Sequence, residues 1–279
     1  MASISRTLGT GRLRLTLLGA LAAFAVGVPA MAQEMPAAAP TVQTQDAPPI
    51  AAAASLRYAL DDIAARFQKE TGKSVKITYG ATGNLVNQIK ASAPFQAFFA
   101  ADDKSVNKLA SESLTEGDPV VFARGELSVA APQGSEVAID ADLNGLKEAL
   151  AAGKVKHIAI ANTETAPYGR AAEEALKAAG LWDQAKPLLV VGENIGQTAT
   201  FVSTGAAEVG FIAKSLAISK EIAPKISSAV VPQKLYAPIN HGLAIIKGAS
   251  PVAKEFVEFV RGPKGREVLE ASGFAVPTS

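Results

Sequence analysis

The sequence predicts an α/β fold, and three features of the chain support this. Short apolar runs of four or five residues recur along it, which is typical of buried strands. Most of these runs are followed by a turn of small residues and then by a segment with apolar residues every three or four positions, as in an amphipathic helix. About 230 residues follow the N-terminal region, which is enough for one large domain or for two lobes of roughly 100 residues each.

The N-terminal residues 1–32 have the composition of a secretory signal peptide. Three arginines precede the charge-free apolar run 15–28, and the small-residue triplet Ala30-Met31-Ala32 follows it. A membrane anchor is the alternative, because the uncharged stretch is nearly long enough to span a bilayer. Pro29 ends the apolar run early, so we expect cleavage after Ala32 and export to the periplasm.

The segment 33–49 is rich in Ala, Pro, Gln and Thr and has hardly any large apolar residue. Such a composition cannot build a packed core, so we expect a flexible linker. The chain has no cysteine, which excludes a lipid anchor on a signal-peptide cysteine, disulfide bonds and thiolate chemistry.

The charge balance argues against nucleic acid as a partner. The chain carries 27 basic and 26 acidic side chains, and without the three arginines of the signal peptide the balance is 24 against 26, or −2. Binding to a phosphate backbone requires clustered Lys and Arg, which this balance does not provide. We expect a monomer.

The first predicted unit is a strand, a turn and a helix. The run 50–54 predicts a short strand, and Ser55 follows at the position of a helix N-cap. Four apolar residues in 56–67 are spaced by four, three and four positions, so they form one helix face that ends before Gly72.

The same pattern returns along the chain. Alternating apolar residues in 75–79 predict a strand, and the turn 80–83 leads into a helix that carries Leu85 and Ile89. Further strands are predicted at 97–101, 157–161, 188–191, 209–212 and 242–246, and further helices at 196–204 and 251–261.

Three of the turns from strand to helix end in small residues: Ala53-Ala54-Ser55, Ala81-Thr82-Gly83 and Ala166-Pro167-Tyr168-Gly169. A helix N-terminus has unpaired N–H groups and the positive end of the helix dipole, so several together would bind an anion without a charged side chain. For any single turn, ordinary N-capping is the alternative interpretation.

Short segments in a fixed order extend from Ile50 to Pro277, among them Ala52-Ala53-Ala54-Ser55-Leu56, Gly83-Asn84-Leu85-Val86-Asn87-Gln88-Ile89, Phe99-Ala100-Ala101-Asp102, Ala166-Pro167-Tyr168-Gly169-Arg170, Gly192-Glu193-Asn194-Ile195 and Gly205-Ala206-Ala207-Glu208-Val209-Gly210-Phe211-Ile212. Together they resemble the periplasmic molybdate-binding proteins. No single segment is specific to that family.

This resemblance implies a two-lobed periplasmic-binding-protein fold of type II, a Venus flytrap with two crossover strands. Lobe I is then expected at 50–128 and 234–279, and lobe II at 129–233. The implied function is capture of molybdate or tungstate in the cleft and delivery to the membrane permease of an ABC importer, with no cofactor and no catalysis.

The resemblance also implies the ligand-binding residues. Ser55 is expected to donate its hydroxyl and its backbone N–H group. Thr82 is expected to donate its hydroxyl, with help from the Gly83 backbone. Tyr168 and Ile195 are expected to contribute backbone N–H groups from lobe II. No direct ligand to a metal cation is expected. Some family members add a tyrosine hydroxyl where this chain has Ala213, so the fifth donor is missing.

A site of donors alone suits a molybdate or sulfate dianion, which has only acceptors, whereas a protonated phosphate would bring a donor without a partner. Sulfate is therefore the nearest alternative ligand. An exported α/β hydrolase is a further alternative, but the chain lacks the G-x-S-x-G, phosphate-loop and H-E-x-x-H motifs. The two histidines, His157 and His241, are expected to be surface or packing residues.

Overall fold

The computed structural model describes residues 47–277. The expected signal peptide, residues 1–32, and residues 33–46 of the expected linker lie outside the described residues. Within the described range, no helix has the length and apolar character needed to cross a membrane.

Strands and helices alternate along the described residues, as the sequence pattern predicts. The strands are β1 (Pro49–Ala53), β2 (Lys76–Gly80), β3 (Ala97–Phe99), β4 (Thr115–Gly125), β5 (Leu127–Pro132), β6 (Ile158–Ala161), β7 (Leu189–Gly192), β8 (Val209–Ala213), β9 (Ile226–Val230) and β10 (Ile239–Ile246). The α-helices are α1 (Arg57–Thr71), α2 (Thr82–Lys90), α3 (Asp103–Ser111), α4 (Asn144–Ala151), α5 (Pro167–Ala178), α6 (Trp182–Ala185), α7 (Ile195–Ser203), α8 (Lys214–Ala217), α9 (Pro251–Arg261) and α10 (Pro263–Ala271).

The strands form two five-stranded sheets with the same arrangement. Their orders are β2-β1-β3-β10-β4 and β7-β6-β8-β5-β9. In each sheet the first three strands are parallel, and the fourth, β10 or β5, runs antiparallel to both of its neighbours. This confirms the predicted two-lobed α/β fold of type II, with one sheet in each lobe.

The chain passes between the two sheets twice. The first crossover lies between Gly125 and Leu127, and the second lies between Val230 and Ile239. The Leu127 N–H donates to the Tyr236 hydroxyl at 3.0 Å, which ties one crossover to the other. β5 begins two residues before the expected start of lobe II at 129, and the expected return at 234 falls inside the second crossover.

Helix α1 shows why the local prediction works. Its apolar face, which includes Leu60, Ile63 and Phe67, is fully buried against the lobe I core. The helix ends where Gly72 adopts φ 71° and its N–H donates to the Gln68 carbonyl, a left-handed cap that glycine adopts without steric cost.

The carboxyl ends of the parallel strands position the functional region. In an open α/β sheet, the turns that leave these ends lie along one edge and form a crevice. Here β1, β2 and β3 of lobe I and β6 and β7 of lobe II direct their following turns toward the space between the lobes, where residues from all five turns line one cavity.

Candidate functional site

The turns that follow these strands enclose a small cavity between the lobes, which we call the interlobe cavity. It is lined by Ala53, Ala54, Ser55, Gly80, Ala81, Thr82, Ala101, Ala166, Pro167, Tyr168 and Ile195. Four of the five predicted ligand-binding residues belong to this lining, two from each lobe. No charged side chain belongs to it.

Ser55 does not cap its helix. The residue lies in a single 3-10 turn ahead of α1, and no side chain caps that turn or α1. Its Oγ lies instead 3.1 Å from Nε2 of His241, and both residues are buried. The interpretation of Ser55 as a helix cap is therefore wrong, because its hydroxyl contacts His241 on another element of the same lobe.

Thr82 is the first residue of α2 and likewise makes no capping bond. Its Oγ1 accepts a hydrogen bond at 3.0 Å from the N–H of Ala101, on the turn after β3. A hydroxyl can accept and donate at the same time. Because Ala101 uses a lone pair, the Thr82 proton stays free to donate into the cavity.

Tyr168 and Ile195 are contributed by lobe II at the starts of α5 and α7. Their N–H groups lie in the first turn, where no carbonyl of the same helix can accept a hydrogen bond from them. Residues 47–277 supply no other acceptor for these two groups. Asn194 caps α7 by accepting from the N–H groups of Gly196 and Gln197, which leaves the N–H of Ile195 unused. Both predicted backbone donors are thus unpaired at the cavity.

Gly83 differs from the expectation. Its N–H already donates to the Thr165 carbonyl of lobe II at 2.8 Å, and the residue is not part of the cavity lining. A Cβ at Gly83 would lie 3.1 Å from the Thr165 Cα, so the absence of a side chain permits this close approach. Gly83 is an interlobe contact here, and the expected backbone donor at this position has another partner.

Ala213 is the position of the fifth donor that this sequence lacks. It is fully buried at the end of β8 and does not line the cavity. After it, the Ser215 hydroxyl donates to the Ser55 carbonyl at 2.8 Å. Ala213 itself therefore gives no donor to the cavity.

A charged pair also joins the lobes. The Arg170 guanidinium on α5 lies 2.7 Å from a carboxylate oxygen of Asp102, the N-cap of α3. The Asp102 side chain is 15 % exposed and that of Arg170 is 42 % exposed, so water screens the attraction in part. Together with the Gly83 bond, this pair connects the two lobes directly, and in this sense the lobes are closed.

Electrostatically, the site consists of neutral groups. Burial lowers the pKa of His241 to about 4, although the nearby Ile239 carbonyl acts in the opposite direction. Burial also raises the pKa of the Tyr168 hydroxyl above its usual range. At neutral pH the imidazole is therefore uncharged and the phenol keeps its proton. Within residues 47–277, no group of three or more His, Cys, Asp or Glu side chains could hold a metal ion.

His241 is the residue whose role the sequence did not reveal. It was expected to be a surface or packing residue, and it is fully buried in contact with a predicted donor. The other histidine, His157, has a half-exposed side chain beside Glu208. The alternation of Ile239, His241 and Leu243 along β10 was the available signal, because every second residue of a strand points to the same face.

A wider, open groove lies on lobe I between β4 and the helices α9 and α10. Its lining combines apolar side chains with the charged Glu258, Arg261 and Arg266, and the N-termini of α2, α5 and α7 do not reach it. Size alone therefore does not identify the binding site.

Comparison with known proteins agrees with this geometry. The model of the family described as bacterial extracellular solute-binding protein matches residues 49–275. The chain belongs to this family. The molybdate-binding protein ModA of Azotobacter vinelandii is 38 % identical over 230 residues, covering 81 % of this chain and 89 % of that protein. The corresponding protein of Rhodobacter capsulatus is 34 % identical, covering 80 % and 86 %.

The solved structure of the Azotobacter vinelandii periplasmic molybdate-binding protein has a TM-score of 0.74 and 30 % identity, covering 83 % of this chain and all of that one. The matched family and these relatives are solute-binding proteins and not enzymes, so the hydrolase alternative is not supported.

Proposed function

We propose that this protein captures molybdate or tungstate between its lobes and delivers the anion to the membrane permease of an ABC importer. The observation that carries the proposal is the convergence of neutral donors from both lobes on one small cavity without charged lining residues. The molybdate-binding relatives indicate which anion to test first.

The donor set consists of the hydroxyls of Ser55 and Thr82 and the N–H groups of Ser55, Tyr168 and Ile195. A fully ionised tetrahedral dianion has only acceptors, so each contact pairs a donor with an acceptor. The helix dipoles of α2, α5 and α7 add positive potential at the same place. No cofactor is required for this role.

Sulfate has the same charge and shape, so discrimination between the two anions rests on the size of the cavity. A protonated phosphate brings a donor, and a buried donor without an acceptor costs about 1 to 3 kcal/mol. We therefore expect the order molybdate and tungstate first, then sulfate, then phosphate.

Isothermal titration calorimetry with these four anions tests the proposal, supported by thermal unfolding with and without each anion. At a hundred times the dissociation constant, a bound anion stabilises the folded state by about 2.7 kcal/mol. Binding of none of the four, or tightest binding of phosphate, would contradict the proposed function.

Export completes the proposal. We infer that the signal peptide is removed after Ala32, that the mature protein begins at Gln33, and that this periplasmic protein is a monomer. Mass spectrometry of the protein released from the periplasm gives the cleavage position. Light scattering on the same sample gives the oligomeric state.

A further inference from the structure

We propose that His241 is a positioning residue that holds the Ser55 hydroxyl as a hydrogen-bond donor to the bound oxyanion. The inference rests on the proposed function, and it adds to the site a residue that does not touch the ligand. Its basis is the 3.1 Å contact between His241 Nε2 and Ser55 Oγ, in which both residues are buried.

Two proton arrangements are possible for this pair. In the first, the Ser55 hydroxyl donates to a bare Nε2, and its oxygen then turns lone pairs toward the cavity. In the second, Nε2 carries the proton and donates to Oγ, and the Ser55 proton is free to point into the cavity. A dianion accepts hydrogen bonds and repels lone pairs, so only the second arrangement suits a bound oxyanion.

The surroundings of the ring also bear on this choice. Within residues 47–277, the buried Nδ1 atom of His241 has no hydrogen-bond partner. A buried N–H without a partner is rarer in proteins than a buried acceptor without one. The second arrangement leaves only a lone pair on Nδ1, whereas the first leaves an N–H there. An interaction with the Ile239 carbonyl raises the pKa of the imidazole against the effect of burial, but its geometry does not make that carbonyl a hydrogen-bond partner of Nδ1.

The ring is fixed by its packing. Phe122 and Phe274 meet it edge-on at centroid distances of 6.3 and 5.1 Å, and Tyr168 of lobe II lies at 6.0 Å. A Cβ on Gly125, at the first crossover, would lie 2.7 Å from the imidazole Cε1. His241 cannot turn away from Ser55 without displacing these neighbours.

His241 lies next to both crossovers between the lobes. Strand β10 carries it directly after the second crossover and pairs it with Ala123, two residues before the end of β4 at Gly125. The imidazole thus contacts a lobe I donor, Ser55, and a lobe II residue, Tyr168, beside the two crossovers. Its contact with Tyr168 joins the donor to the closed arrangement of the lobes.

A pair of substitutions at His241 tests the inference by calorimetry with sodium molybdate. His241→Leu removes the donor to Ser55, and we expect affinity to fall by about 3- to 10-fold, the worth of a neutral hydrogen bond. His241→Gln keeps an amide N–H that can reach Ser55, so this conservative variant restores most of the loss. His157→Gln, on the exposed histidine, is the matched control and binds as the wild type does.

A double-mutant cycle separates positioning from a general structural effect. If His241 acts through Ser55, then His241→Leu in a Ser55→Ala background causes no further loss of affinity. Additive losses would overturn the inference, because they would mean that His241 acts independently of Ser55. If the wild-type protein binds none of the four anions, the proposed function fails, and this inference fails with it.

Nitrogen NMR on the wild-type protein tests the proton arrangement without any substitution at His241. The chain has only two histidines, and His157→Gln assigns their signals. With molybdate bound, we expect His241 Nε2 to resonate as a protonated nitrogen and Nδ1 as a bare one. A proton on Nδ1 in the molybdate-bound protein would overturn the inference.

Discussion

The substitution Thr82→Val gives two measurable effects from one missing hydroxyl. Valine matches threonine in shape, so the change removes the oxygen and its proton and leaves the packing intact. The lost proton is a donor to a charged acceptor, worth about 1.5 to 3 kcal/mol, and the affinity for molybdate is expected to fall about 10- to 150-fold.

The lost oxygen has a separate effect on folding. Oγ1 of Thr82 is the acceptor for the N–H of Ala101, and Ala101 is 2 % exposed, so water cannot replace it. A buried N–H without an acceptor costs about 1 to 3 kcal/mol. The ligand-free variant is therefore expected to unfold at a lower urea concentration than the wild type.

Thr82→Ser is the matched control, because it keeps the hydroxyl in both roles. Calorimetry measures the affinity of the three proteins, and urea unfolding without ligand measures their stability. Molybdate binding by Thr82→Val within about threefold of the wild type would refute the assignment of this hydroxyl as a ligand donor, since the predicted minimum is about tenfold.

Further predictions concern both lobes and pH. Tyr168→Phe is expected to bind molybdate within about tenfold of the wild type in calorimetry, because the proposed contact is the backbone N–H. The buried hydroxyl interacts with Ser55 but meets hydrogen-bond geometry with no group in residues 47–277. Gly83→Ala is expected to lose about fivefold in affinity, or about 1 kcal/mol, because its Cβ would lie 3.2 Å from the Thr165 carbonyl oxygen and hinder closure. Affinity is expected to change by less than about threefold between pH 6.5 and 8.5, since no proposed donor titrates there. Stability is expected to fall by about 3 kcal/mol as pH drops from 6.5 to 4. The unfolded chain protonates His241 near its ordinary pKa, while burial holds the pKa of His241 in the folded protein to about 4. Urea unfolding of His241→Gln at the same pH values should lack this loss.

The sequence predicted best those elements whose own residues determine their limits. Helix α1 has a continuous apolar face and ends at a glycine, and both features are local. The long strand β4 was not predicted, because its sequence begins Thr115-Glu116-Gly117-Asp118-Pro119 and its first half is largely exposed. It forms an edge of the lobe I sheet, where polar residues and proline are tolerated and no alternating pattern is needed.

Strand β5 was missed for a different reason. Its residues are short and apolar, Leu127 to Pro132, and nothing in them marks the passage from one sheet to the other. The crossover is fixed by pairing with β8 and β9, which lie about 80 and 100 residues further along the chain. Such pairings depend on the tertiary fold and leave no local signal.

The binding site, too, could be predicted only in part from the sequence. The small-residue turns indicated where donors could lie, and the structure brings Ser55, Thr82, Tyr168 and Ile195 to one cavity. The partners of those donors could not be predicted, because His241 is 186 residues from Ser55 along the chain. The same holds for the Gly83 bond to Thr165, which exists only when the two lobes meet.

An uncapped helix N-terminus is not by itself evidence for a binding site. Helix α10 begins after Gly262 without a side-chain cap, and its start does not line the interlobe cavity. At α1 and α2, by contrast, a capping residue type is present and its hydroxyl bonds elsewhere, to His241 and Ala101.

A residue that departs from its usual local role, such as helix capping, without a local gain in stability is expected at a functional site. Here two such departures, at Ser55 and Thr82, line one cavity together with two unpaired backbone N–H groups from the opposite lobe. Buried donors left unpaired would destabilise the closed lobes by about 1 to 3 kcal/mol each. A ligand that accepts all of these hydrogen bonds removes that cost only when the lobes are closed, so the same donors that bind the anion also couple its binding to closure.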